Sequence, residues 1–330
     1  MKKKVLVIGC GSIGERHLRC LQHTERAEVF ACDTNPALLQ KMQQEYGVVT
    51  INNLKDAPAL QKLDGAVVCT PANTHIGIAR TVVQHGAAVL IEKPLAVGLE
   101  GIAELKKEIG ESGKFAGVAY VYHFMPCVQQ ARDFLRQGTL GNILQVSVVA
   151  GQHFPTFRPA YREIYYNNHA TGGGAIQDAL THLVNAVEWI IGPTTKVFCE
   201  AAHQLLEGVT VEDTVSVAAT NQNTVVNYCL NQFQAPNETT IQLNCEHGSL
   251  KIEVHEQRWA VFQRGAEKWD YRPAPVSHRD DLFRAQANAF LDGMEGKPNP
   301  LCTLDEAVQT LKFNIAALES ARGDKIISIS

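Results

Sequence analysis

Apolar and polar positions follow two alternating rhythms over the first 120 residues. Short uninterrupted apolar runs, led by Val5-Leu6-Val7-Ile8, suit strands covered on both faces. Similar runs predict strands at 27–32, 48–51, 66–69, 88–91 and 115–120. Between them, apolar residues recur at helical spacing over 15–22, 36–46, 74–85 and 99–111. Asn35 supplies an N-cap and Pro36 a first-turn proline for the second helix, and Gly86 closes the third. Strands alternating with helices argue for βαβ units and a parallel sheet, which right-handed crossovers wind into a Rossmann-type fold.

Beyond about residue 121 the rhythm changes. Helices are predicted at 128–136 and 178–190, then polar–apolar alternation runs through 144–149, 196–203, 214–219, 224–231, 239–245, 250–256 and 260–263. Strands this dense argue for a mostly antiparallel open sheet. Two helices follow, at 278–293 and 304–322, the last capped by Thr303. The fold class is therefore α/β: an N-terminal Rossmann domain over 1–122 and a C-terminal α/β domain with a large open sheet over 123–330. An open sheet leaves one face to be covered, so a homodimer or homotetramer is expected.

Composition narrows the function classes. A net charge of −4 and a single basic run, Lys2-Lys3-Lys4, give no footprint for nucleic acid. The nine cysteines form no C-x-x-C pair, so no metal site is expected. Their odd number and the lack of a secretory signal point to reduced thiols and a cytoplasmic location. The leading apolar run is too short to span a membrane, and no membrane partner is expected.

Gly9-Cys10-Gly11-Ser12-Ile13-Gly14 reads G-x-G-x-x-G between a predicted strand and helix, the context a dinucleotide requires. Gly9 permits the turn, Gly11 admits the pyrophosphate, and Gly14 lets helix and strand approach; the helix start then offers N–H groups to phosphate. Asp33 lies 19 residues beyond Gly14, where a carboxylate meets ribose hydroxyls and repels a 2′-phosphate, favouring NAD over NADP. Thr70-Pro71-Ala72-Asn73-Thr74-His75 ends the fourth strand at the ligand edge, although Thr70 and Asn73 could simply cap the next helix.

Hydride transfer from an alcohol needs a proton acceptor beside the oxygen. Glu92-Lys93-Pro94 ends the fifth strand. Lys93 could serve as a base if burial and a positive ring lowered its pKa, or polarise the oxygen while charged. A second cluster runs Gly172-Gly173-Gly174 to Asp178 and His182. Three glycines allow close ligand approach or unusual φ values. Residues 178 and 182 share one helix face. An imidazole suits proton acceptance near neutrality, and Asp178 could orient it or bind a substrate hydroxyl.

These motifs, taken in order over essentially the whole chain, resemble the Gfo/Idh/MocA family. The resemblance implies NAD-dependent oxidation of a hydroxyl-bearing carbon in a sugar, sugar acid or cyclitol. It implies a catalytic set of Lys93, Asp178 and His182, with His182 as general base and Lys93 holding the hydroxyl and cofactor. Gly9, Gly11, Ser12, Ile13, Asp33, Thr70, Asn73, His75, Glu92 and Lys93 would line NAD, and the Lys93–Pro94 bond would be cis. Residues 120–126 depart from the family's Asn-x-Arg-Phe, with Val121 and His123 in its place; Tyr120 remains a substrate candidate. Residues 151–165 resemble those of sugar-acting members. There His153, Arg158, Tyr161, Arg162 and Tyr165 could meet hydroxyls or a carboxylate, or the loop could merely cover the cofactor. The same residues would serve an enzyme that cleaves glycosides through transient oxidation, or a redox-silent NAD-binding protein.

Overall fold

The computed structural model describes residues 1–54 and 63–330. The first elements in chain order are β1 (Lys3–Ile8), α1 (Ser12–His23), β2 (Ala27–Cys32), α2 (Pro36–Tyr46), β3 (Val49–Ile51), β4 (Gly65–Val68), α3 (His75–Gln84), β5 (Ala88–Ile91), α4 (Ile102–Ser112) and β6 (Ala116–Val118). There follow α5 (Pro126–Arg136), β7 (Ile143–His153), the short α6 (Phe154–Phe157), α7 (Thr181–Ile191), β8 (Thr194–Ala202), β9 (Thr214–Asn221), β10 (Thr224–Asn231) and β11 (Phe233–Cys245). The chain closes with β12 (Gly248–Glu253), β13 (Arg258–Gln263), β14 (Asp270–Pro273), α8 (Arg279–Met294), α9 (Leu304–Gly323) and β15 (Ile327–Ser328).

Two compact units result: Met1–Val121 with Ser277–Ala307, and Tyr122–Val276 with Val308–Ser330. The linear division expected at residue 122 thus leaves out a return of the chain. Residues 277–307 belong with the first unit because the apolar side of α8, including Leu282, Phe283, Phe290 and Leu291, is buried there. A side chain at Gly65, the start of β4, would collide with Met294 and Phe290. Arg19 of α1 forks onto Asp280 with bonds of 2.8 and 2.9 Å.

In the first unit a parallel sheet runs β3-β2-β1-β4-β5-β6 among the described residues. Val5, Leu6 and Val7 are fully buried, as their uninterrupted run requires. Asn35 accepts from the Ala37 N–H at 3.0 Å and Pro36 opens α2, as the capping signals predict.

In the second unit the order is β14-β13-β12-β11-β7-β10-β9-β8-β15. Every pairing is antiparallel except β7 with β10. Two strands run longer than alternation predicts. β7 continues to His153, and β11 begins at Phe233, where a register shift before Glu238 breaks the alternation. One face packs on α5, α7 and α9 around Val146, Val148, Val217, Tyr228, Ile241 and Phe313. A buried polar seam fastens α9 to α7. Asn314 donates to Thr181 at 3.0 Å, Asn185 to Thr310 at 3.1 Å, and Thr310 to Glu188 at 2.8 Å. Burial pushes the Glu188 carboxyl up, although bonds from Thr310, Thr194 and Gln309 oppose it.

Candidate active site

In the first unit the predicted residues collect along the carboxyl edge of adjacent strands, the ligand edge of such sheets. Gly9 follows β1, Asp33 follows β2, Thr70 lies beyond β4, and Glu92 and Lys93 follow β5. Gly9 has φ +91°, and a Cβ on Gly14 would lie 1.8 Å from the Gly9 carbonyl oxygen, so turn and packing both demand glycine. A Cβ on Gly11 would meet no atom within 4 Å. Gly11 and Ser12 are exposed, and no side chain caps α1.

Asp33 does more than its position predicts. Its Oδ2 accepts the Cys10 N–H at 2.6 Å and its Oδ1 the Asn35 N–H at 2.8 Å. The carboxylate therefore shapes the glycine turn. Ile13 is half-buried in α1 and Asn73 is exposed in a short 3₁₀ turn. The Thr70 hydroxyl accepts from Thr74 at 2.7 Å, which in turn places it at the loop's helical end. His75 is buried, with Nε2 2.8 Å from the Thr70 carbonyl and Nδ1 3.1 Å from that of Pro94. Burial lowers its pKa, and the ring holds two loops of the ligand edge at once. It braces the edge from behind, with its ring closed off from solvent.

Glu92 is likewise buried. Oε1 lies 2.7 Å from His17 Nε2, and Oε2 accepts the Lys93 N–H at 2.9 Å. Burial alone would raise its pKa; the His17 bond and charge, with Lys93, hold the carboxyl below its usual value. The Lys93–Pro94 bond is cis. His17 was not singled out in the sequence, yet it sits one turn past Gly14 on the buried side of α1, where an imidazole requires a partner. Tyr120, expected as a substrate contact, is fully buried in this structure.

In the second unit a π-helical turn, Ile176–Leu180, precedes α7 and carries Asp178. The helix predicted at 178 therefore starts earlier and wider, and π-turns recur at functional positions. Asp178 is 9% exposed and accepts from the Tyr165 hydroxyl at 2.7 Å. His182 stacks on Tyr122 with ring centroids 5.6 Å apart. Of the two uses the glycine run offers, the structure shows the unusual backbone: Gly172 has φ +94° and Gly174 φ +87°. A Cβ on Gly173 would lie 2.2 Å from the Tyr166 carbonyl oxygen, and one on Gly174 2.6 Å from Glu212 Oε1.

The 151–165 segment divides. Tyr161 is 2% exposed within an apolar cluster with Phe154, Tyr166 and Leu206, and its hydroxyl donates to the Glu207 carbonyl at 2.7 Å; it is a core residue. Arg162 Nε donates to that same carbonyl at 2.8 Å, which ties it to the loop. His153 Nδ1 lies 2.7 Å from the Thr156 hydroxyl. Arg158 is half-buried and its amide donates to the Phe154 carbonyl at 2.7 Å. Among the described residues no group of three or more His, Cys, Asp or Glu could hold a metal ion, and no helix is long and apolar enough to cross a membrane.

Residues 3–120 match the family model described as "Oxidoreductase family, NAD-binding Rossmann fold", and residues 128–251 match the "GFO/IDH/MocA C-terminal domain". The chain belongs to the Gfo/Idh/MocA oxidoreductase family. Its N-terminal unit thus carries the family's NAD-binding Rossmann fold. The rhizopine catabolism protein MocA of Rhizobium meliloti is 29% identical over 187 residues, 56% of this chain and 56% of that protein. Inositol 2-dehydrogenase of Rhizobium meliloti strain 1021 is 22% identical over 187 residues, 56% of this chain and 54% of that one. The matches thus span little more than half of these curated relatives. The WlbA dehydrogenase of Bordetella pertussis, solved with NADH and UDP-GlcNAcA, shares the fold at TM-score 0.83 and 24% identity, covering 100% of this chain and 98% of that one. Levoglucosan dehydrogenase, solved with NADH and levoglucosan, does so at TM-score 0.87 and 18% identity, covering 100% of both chains.

Proposed function

We propose that this Gfo/Idh/MocA protein moves a hydride between NAD and a hydroxyl-bearing carbon of a sugar, sugar acid or cyclitol. One observation carries the reading: the N-terminus of α1 is open at Gly11 and flanked by the Asp33 carboxylate, a cradle suited to a pyrophosphate and an adenosine ribose. Gly9, Gly11, Ser12, Ile13, Asp33, Thr70, Asn73 and Lys93 are the residues we assign to holding the dinucleotide. Bound there, NAD supplies the hydride acceptor or donor. Asp33 disfavours a 2′-phosphate by charge, so NADP is the poorer cofactor.

Lys93 is assigned to the substrate hydroxyl, which its ammonium would polarise. Glu92 fixes the backbone from which that side chain springs. His182 is assigned to take the hydroxyl proton, since an imidazole titrates near neutrality. Asp178, fastened by Tyr165, orients the imidazole or a neighbouring substrate hydroxyl. A sugar-like substrate agrees with the levoglucosan and UDP-GlcNAcA that two fold relatives were solved with. His153 and Arg158 remain the substrate contacts we assign from the 151–165 segment.

We also place the protein in the cytoplasm as a homodimer or homotetramer. The side of the second sheet away from α7 and α9 exposes Val149, Val225 and Cys229, apolar for an open surface.

The test is an NADH-absorbance screen against polyols, aldoses, uronic acids and glycosides, with product analysis. A substrate-dependent rise in NADH is expected. Lys93→Met and His182→Ala should each lower turnover by roughly 10²-fold or more while NAD titrates normally. Normal rates in both variants would remove the assignment. Cleavage of a glycoside with no NADH accumulating would replace net oxidation by transient oxidation. NAD binding without turnover on any class would favour a redox-silent protein.

A further inference from the structure

The start of the π-turn is held by a residue that no motif marks. Glu212 is buried at the entrance to β9 and meets two successive amides of the turn. Its backbone carbonyl accepts the Ala175 N–H at 3.0 Å, and its Oε1 accepts the Ile176 N–H at 2.9 Å. Its other oxygen lies 2.5 Å from His169 Nε2. His169 stands four residues from Tyr165, whose hydroxyl reaches Asp178. One loop therefore grips both the carboxylate under the turn and the carboxylate the turn presents. Gln177 closes the ring of contacts, donating to the His169 carbonyl at 3.0 Å and that of Gly173 at 3.2 Å.

Two further features fit only this arrangement. Gly174 has φ +87°, and the space its Cβ would take holds the Glu212 carboxylate. Asp213, the next residue, accepts the N–H groups of Gln204, Leu205 and Leu206 at 2.9, 2.8 and 2.8 Å, so the backbone bearing Glu212 is itself anchored. Ala175 and Ile176 open this helix, whose first N–H groups have no intrahelical acceptor, so buried ones need another.

We propose that Glu212 is a positioning residue for the reaction: it caps the π-turn that presents Asp178, and position 174 is glycine to admit its carboxylate. This rests on Asp178 acting in the site proposed above, although the structural half stands apart from it.

The experiment compares Glu212→Ala with Glu212→Gln in the full chain. Amide hydrogen exchange should show Ile176 losing most of its protection in Glu212→Ala and keeping it in Glu212→Gln, whose one oxygen still accepts. With NAD and the polyol or sugar found by the screen, kcat should fall by about 10²-fold in Glu212→Ala and recover most of that loss in Glu212→Gln. NAD affinity, titrated by calorimetry, should stay within about twofold, since the N-terminal unit carries that cradle. On an Asp178→Asn background, Glu212→Ala should cost little more, because both act through one group. Unchanged Ile176 protection, additive losses, or NAD affinity falling in step with kcat would each overturn the proposal. If Asp178→Asn alone turns over normally, the catalytic reading fails, while the exchange data still decide whether Glu212 holds the turn.

Discussion

Each unit holds a histidine–carboxylate pair against a backbone amide, and the two pairs sit in different surroundings. In the first, His17 and Glu92 are both buried, with side-chain exposures of 1% and 8%. In the second, Glu212 is buried but His169 is 34% exposed. Both carboxylates spend their second oxygen on a backbone N–H 2.9 Å away, that of Lys93 and that of Ile176. The contrast separates two ways of fixing geometry. A sealed pair is strong only while complete, because either charge left alone has no water. A half-open pair loses little when its outer member goes, since solvent takes over.

The sharpest way to test this contrast is His17→Leu, which strands the Glu92 charge and should cost about 3–5 kcal/mol in denaturant unfolding. The pH dependence should also change sign. In the native pair the Glu92 carboxyl lies below its usual 4.5, so its contribution is full above pH 4.5 and is lost as pH falls through the lowered value. Without His17, burial dominates and raises the pKa, so stability should instead decline as pH rises past 4.5. The same downward slope in both proteins would show that the pair is not what sets the carboxyl.

Tyr165→Phe comes next, removing the hydroxyl on Asp178 without touching Glu212. A hydrogen bond to a charged group is worth about 1.5–3 kcal/mol, so kcat should drop by at least about tenfold with the melting temperature little moved. Equal loss in both would make Tyr165 a scaffold residue. Asp33→Ala should follow, weakening NAD by about tenfold and NADP less, with some loss shared because the Cys10 amide also loses its acceptor. Calorimetry with both nucleotides decides it; an unchanged preference would defeat the ribose assignment. The smallest effect belongs to His169→Ala, below about 1 kcal/mol in stability. A loss as large as that of His17→Leu would end the distinction between sealed and open pairs.

What the sequence made legible was local. The glycine fingerprint, the Asn35 cap and the ordering of strands and helices all write themselves within a turn or two of chain. Glu92 announced itself by standing beside Lys93, but its partner lies 75 residues earlier. Glu212 lies 36 residues from the amide it caps and carries no local signature. Gly172-Gly173-Gly174 was visible as an exception, yet what presses on it, the Tyr166 carbonyl at Gly173 and a carboxylate from another element at Gly174, was not. Tyr161 looked like a substrate contact because a hydroxyl reads the same whether it faces a sugar or a buried carbonyl. Arg162 misled likewise, its guanidinium being taken by Glu207.

The interleaved division of the chain has a consequence for biosynthesis. The first unit lacks α8 until residues 277–307 have left the ribosome, and the second lacks most of α9 and its edge strand until residues 308–330 follow. Neither can close its core during most of translation, so the nascent polypeptide carries unfinished apolar surface on both and depends on late, long-range pairing.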